Sequence, residues 1–181
     1  MKRYLPPLCA LLLLLLTACG PAEGSPPPEA PEAGPLELES LAVEVSRGDL
    51  STGELAQAVR ELPEALKAAL AGQGVEAESV SVSVGASPAA TAQAVREGGV
   101  DVAFLPADDF AALENPPPLL LAAGEGEDPG AMAAVARPDG ASLSGDLFAQ
   151  ALAAAVNSLR EEQPVFGILD YAPAEPEEAA G

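Results

Sequence analysis

Apolar positions along this chain recur in two rhythms, and the rhythms alternate. Leu41 to Val45 and the run Ser79-Val80-Ser81-Val82-Ser83-Val84 repeat at every second residue, the period of a strand with one face covered. Between them Leu55, Val59, Leu62, Leu66 and Leu70 recur at spacings of three and four, the apolar stripe of a helix. Ser51-Thr52-Gly53-Glu54 supplies its start, because a Ser-x-x-Glu spacing lets each side chain cap the other's backbone N–H. Gly72 and Gly74 supply its stop. Pro63 has no N–H to donate and crowds the preceding turn, so it predicts a kink or a division midway. Gly85-Ala86-Ser87-Pro88 then turns into a second helix, with Ser87 as cap, Pro88 at the first helical position, and Ala92 and Val95 facing inward. Gly98-Gly99 ends it.

Val100 to Leu105 is a run of another kind, apolar except for Asp101. It reads as a strand buried on both faces, followed by the polar loop Pro106 to Asp109. A short helix near Asp109 to Leu113 comes next, and Leu119 to Ala122 is another buried strand. Gly124 to Gly130 reads as a flexible acidic loop, and Met132 to Ala136 as a fifth strand. Ser144 is placed to cap a last helix whose stripe is Leu147, Phe148, Ala151, Leu152, Ala155 and Leu159. Pro164 to Leu169 returns as an extended segment.

Strands alternating with helices predict an α/β fold, a three-layer sandwich with a mainly parallel sheet. Right-handed crossovers put three loops on one sheet edge: Ser46 to Ser51, Gly85 to Pro88, and Pro106 to Asp109. Helix N-termini meet small ligands at such an edge. Fold alone does not establish that anything binds there.

The N-terminus carries a different signal. Lys2 and Arg3 precede an apolar run from Leu5 to Leu16, too short to span a hydrocarbon core of about 30 Å, so residues 1–18 read as an export signal. Leu16-Thr17-Ala18-Cys19 resembles the bacterial lipobox, which implies lipidation at Cys19. A pair of long acyl chains makes a stable anchor, so the expected partner of Cys19 is the membrane, on the extracytoplasmic face of a bacterial cell. Residues 19–35 are rich in Pro, Glu, Ala and Gly and predict a disordered tether, and residues 172–181 a disordered acidic tail. Residues 36–171 remain as one domain with a single core.

Composition narrows the chemistry. Cys9 leaves with the signal and Cys19 carries lipid, so no disulfide is expected. There is no histidine, which removes the usual general base and the commonest metal ligand; no enzyme, cofactor or metal site is expected. The formal net charge of −20 makes nucleic acid a poor partner.

The Val-Ser-Val-Ser-Val-Gly-Ala-Ser turn, the helix ending in Gly-Gly, and then Val-Asp-Val-Ala-Phe-Leu-Pro-Ala resemble phosphate/phosphonate-type ABC transporter substrate-binding lipoproteins. The resemblance covers Leu41 to about Leu121. Val135-Ala136-Arg137-Pro138-Asp139 and the helix end Asn157-Ser158-Leu159 are similar to the family's C-terminal portion. It implies a type II periplasmic binding protein-like fold, which normally has two lobes with the ligand between them. Here the second lobe's residues are absent around Glu125 to Gly130, which implies a single lobe. On this resemblance the ligand-binding positions are Arg47, Ser51, Ser87, Thr91, Asp108, Asp109 and Phe110. Arg47 is the candidate anion contact, with a solvated surface arginine as the alternative. Ser87 and Thr91 are the candidate hydroxyl donors. Pro88 stands where the family has tyrosine, and Phe110 keeps a ring without its hydroxyl. Asp108 and Asp109 replace small or hydroxylated residues, with the alternative that Asp108 caps a helix and Asp109 sits in its first turn.

Two functions follow as expectations. One is the solute-binding component of an ABC-type importer, taking a phosphate/phosphonate-like or other small solute to a permease. The alternative is a degenerate lobe, an interaction or structural lipoprotein that captures no solute.

Overall fold

The computed structural model describes residues 34–47, 50–123, 131–140, 142–143, 145–167 and 169–174. The export signal, Cys19, the tether up to residue 33, the loop 124–130, Ser144 and everything beyond residue 174 lie outside the described residues. The sheet is laid out around β1 (Leu36–Ser46), which pairs in parallel with β2 (Val75–Gly85) on one side and β3 (Val102–Pro106) on the other. The first connection is α1 (Thr52–Ala71) and the second is α2 (Pro88–Arg96). With α3 (Ala107–Ala111), β4 (Leu119–Ala123), β5 (Met132–Ala136), α4 (Asp146–Leu159), a 3-10 turn at Pro164–Phe166 and β6 (Tyr171–Pro173), the sheet order is β2-β1-β3-β5-β4-β6. All six strands belong to one sheet.

That sheet is mixed, not mainly parallel. β5 runs antiparallel to both β3 and β4, and β6 runs antiparallel to β4. Parallel neighbours need a crossover of a dozen or more residues, whereas only residues 124–131 separate β4 from β5. A connection that short returns the chain antiparallel. β6 also corrects the domain boundary: residues 172 and 173, read as tail, pair with Ala122 and Leu121, and the N–H of Ala174 donates to the carbonyl of Leu120 at 3.0 Å.

Both faces are covered, and β3 shows it residue by residue. Val102 and Phe104 join the larger cluster, with Leu62, Leu66 and Leu70 of α1 and Phe148, Leu152 and Val156 of α4. Ala103 and Leu105 join the smaller one, with Ala92 and Val95 of α2 and the half-buried Phe110 and Leu113. Crossovers of one hand to either side of β1 put α1 and α2 on opposite faces. The run is apolar because neither face meets water. Its one charge is fixed locally: Asp101 Oδ2 accepts from the Ala42 N–H at 2.8 Å, and Oδ1 lies 3.1 Å from Arg137 Nη1.

β1 extends well before Leu41 because its alternation slips by one. Leu36 and Leu38 pack on the larger cluster, Glu39 and Ser40 are both exposed, and Leu41, Val43 and Val45 resume on the same face. β2 slips at the matching place, Glu78 and Ser79. There Ser79 Oγ donates to the Glu39 carbonyl at 3.4 Å, and Lys67 Nζ donates to the Glu78 carbonyl at 2.7 Å.

Two helical stripes differ from their sequence pattern. Ala58 is buried in α1 while Val59 is 40% exposed, and Leu147 of α4 is 51% exposed. In each helix the adjoining residue, Ala58 or Phe148, takes the buried position instead. α1 is one uninterrupted helix through Pro63, which does not divide it. The carbonyl that Pro63 leaves unpaired belongs to the exposed Val59, where water can serve it. α4 begins at Asp146 with Gly145 as its N-cap, and Pro164–Phe166 forms a 3-10 turn in place of an extended segment. No helix among the described residues is long and apolar enough to cross a membrane.

Candidate cleft at the strand ends

The C-terminal ends of β1, β2 and β3 meet at a topological switch point, since β2 and β3 leave β1 on opposite sides. A cleft of about 530 Å³ opens there. Arg47, Leu50 and Glu54 form one wall, following β1 into α1. Ala86, Ser87 and Pro88 form a second, following β2 into α2. Pro106, Asp108 and Asp109 form a third, with Met132 of β5 beside them, and Pro164, Val165 and Gly167 close the fourth side.

The two longer helix starts at this cleft, those of α1 and α2, are already served by the chain. At α1, Ser51 Oγ accepts from the Glu54 N–H at 3.3 Å and Glu54 Oε2 accepts from the Ser51 N–H at 2.8 Å. At α2, Pro88 has no N–H, Ser87 Oγ accepts from the Ala90 N–H at 3.2 Å, and the Thr91 N–H donates to the Ser87 carbonyl. Pro106 precedes α3 without a side-chain cap, and Asp108 and Asp109 occupy its first turn, so Asp108 is not the cap. At α1 and α2 the side-chain caps occupy N–H groups that would greet an anion, and three carboxylates line the space.

The structure therefore brings together Arg47, Ser87, Asp108 and Asp109, and separates them from the other three expected positions. Ser51 turns its hydroxyl into the α1 capping box. Thr91 is fully buried beneath Gly85, because α2 enters directly under the strand end. Phe110 packs its ring on the smaller cluster, since α3 turns that side toward β3. Leu50 belongs to the expected loop Ser46 to Ser51, whereas Glu54, Met132 and the segment Pro164–Gly167 were not anticipated at the cleft. Gly167, at φ 69°, is the one element of the fourth wall with a local signal, a glycine after an apolar pair.

The wall segment is held from behind. Tyr171 Oη donates to the Phe166 carbonyl at 2.6 Å, and Phe166 packs on Phe104 with ring centroids 4.9 Å apart. Asn157 of α4 fixes Tyr171 at both backbone groups, donating from Nδ2 to its carbonyl at 2.9 Å and accepting its N–H at Oδ1 at 2.7 Å. Among the described residues no group of three or more His, Cys, Asp or Glu side chains is placed to hold a metal ion.

Glu54 is held ionised below the ordinary glutamate value of 4.5, first by the Ser51 side chain and then by its backbone N–H. A lowered folded-state pKa adds stability that is present above the unfolded value and lost as pH falls through the folded one. Thermal midpoints of Glu54→Gln and the unsubstituted protein should therefore differ at pH 7 and converge on acidification below pH 4.5. A difference unchanged down to pH 3 would place Glu54 outside the capping box.

Comparison with protein-family models and with curated proteins found no match to this chain.

Proposed function

We propose that the chain is a lipid-anchored, extracytoplasmic solute-binding module of an ABC-type importer, with the strand-end cleft as its binding site and a single type II periplasmic binding protein-like lobe as its fold. The observation that carries this reading is the convergence of three strand-end loops and the Pro164–Gly167 segment on one space of about 530 Å³. That volume lies within the roughly 300–1,000 Å³ typical of small-molecule sites, and its lining mixes apolar side chains with a few charged ones. Binding would leave the solute open to a permease on the side away from the sheet.

The test is thermal denaturation of the full chain against small solutes of each charge class. A solute at 100 times its Kd adds about 2.7 kcal/mol of stability. The expected result is a raised midpoint with at least one solute, abolished by Ala86→Trp, which fills the second wall. No shift from cationic, anionic or neutral solutes would favour the alternative reading, an interaction lipoprotein. The single sheet supports that alternative, because no opposing lobe among the described residues encloses the cleft. Anchoring is tested separately. Cys19→Ala should release the protein from the membrane fraction and remove fatty-acid label; undiminished label would refute lipidation there.

A further inference from the structure

We infer that the solute of this cleft is a compact aliphatic cation carrying ammonium groups, not an oxyanion; the inference rests on the solute-binding reading above and names its ligand class. The charged lining is Arg47 against Glu54, Asp108 and Asp109, an excess of negative charge. Arg47 is the one described cation in that lining. Arg137 is paired with Asp101 and Asp139, and Arg160 with Asp170. Lys67 is bound to the carbonyl of Glu78, and Arg96 to that of Asn115.

The backbone offers an anion little more. Pro88 has no N–H, that of Ala90 is taken by Ser87, and the Glu54 carboxylate already occupies the Ser51 N–H. Asp108 and Asp109 are exposed on α3, and while their carbonyls accept from the Ala112 N–H, their carboxylates have no partner among the described residues. They are free to accept from an ammonium group. Leu50, Met132 and Val165 supply apolar surface for a short methylene body. The excess of negative charge at the cleft raises the local concentration of cations there. Arg47, in the same lining, opposes the cation and limits its affinity.

The test is equilibrium dialysis of the full chain in detergent with labelled 1,4-diaminobutane, methylphosphonate and 1,4-butanediol in separate arms. Diaminobutane should be retained, with affinity falling at least tenfold in Asp108→Asn/Asp109→Asn and rising several-fold in Arg47→Ala. The protein supplies its own control, a second acidic patch of Glu37, Glu39, Glu76 and Glu78 at the opposite sheet edge. Glu76→Gln/Glu78→Gln should leave binding unchanged. Equal losses in the two double variants would mean diffuse counterion binding and would overturn the inference. Retention of methylphosphonate or butanediol without diaminobutane would overturn the cationic class and leave solute binding standing. Retention of none of the three would overturn both.

Discussion

Gly85→Ala is expected to destabilise the domain by roughly 2–3 kcal/mol, the upper range for forcing an extra methyl group into a packed interior. The cause is steric alone, since Gly85 does not have a left-handed backbone. A Cβ there would lie 1.8 Å from Thr91 Oγ1 and 2.6 Å from Glu44 Oε1. Glu44 is a long side chain and can move aside. Thr91 cannot, because it is fully buried in the first turns of α2 and branched at Cβ. The strand end and the helix start would have to separate, and with them the wall made by Ala86, Ser87 and Pro88. Thr91→Ala removes the obstructing oxygen, so the double variant should recover at least half of the loss in a denaturant titration. An unchanged midpoint in Gly85→Ala would show that α2 rides loosely over the strand.

Phe104→Ala should cost about 3–5 kcal/mol, the range for removing a buried aromatic side chain. Phe104 is fully buried in the larger cluster and touches the two rings that fasten the fourth wall. Phe166 lies at 4.9 Å and Tyr171 at 6.4 Å, edge-on. The loss should therefore be uneven. Hydrogen exchange should quicken more at Phe166, Gly167 and Tyr171 than at Val82 of β2, which reaches the cluster from the other side of β1. Phe104→Leu, which refills most of the space, should lose far less. Uniform acceleration of exchange would mean that the wall has no separate attachment.

The features legible in the sequence are those decided within three or four residues. Ser51 with Glu54, Ser87 with Pro88, and the turn at Gly98 each hold their own partner or conformation, and each stands where expected. The meeting of three loops at one edge was legible for a related reason: alternation of strand and helix, with one crossover hand, leaves little freedom for β1, β2 and β3. Strand direction beyond β3 divides: the short stretch between β4 and β5 already calls for an antiparallel return, whereas β6 takes its direction from pairing with distant backbone, and Ala172 and Pro173 resemble linker by composition. The site misses have the same origin. Thr91 has the residue type for binding a ligand, but its burial depends on how closely α2 meets Gly85. Val165 looks like plain core, and its place at the cleft depends on Tyr171 and Asn157 holding the segment behind it.

The cleft has an order of completion. Its first three walls come from residues 47 to 109, but the fourth comes from Pro164–Gly167, held by a tyrosine at position 171. A chain made from its N-terminus, at about 5–20 residues per second, passes several seconds with three walls and no fourth. Throughout that interval Phe104 lacks the rings of Phe166 and Tyr171, and the outer edge of β4 has no β6 beside it. The fourth wall therefore arrives late in synthesis, and a nascent chain halted before Tyr171 lacks the hydroxyl that fastens it.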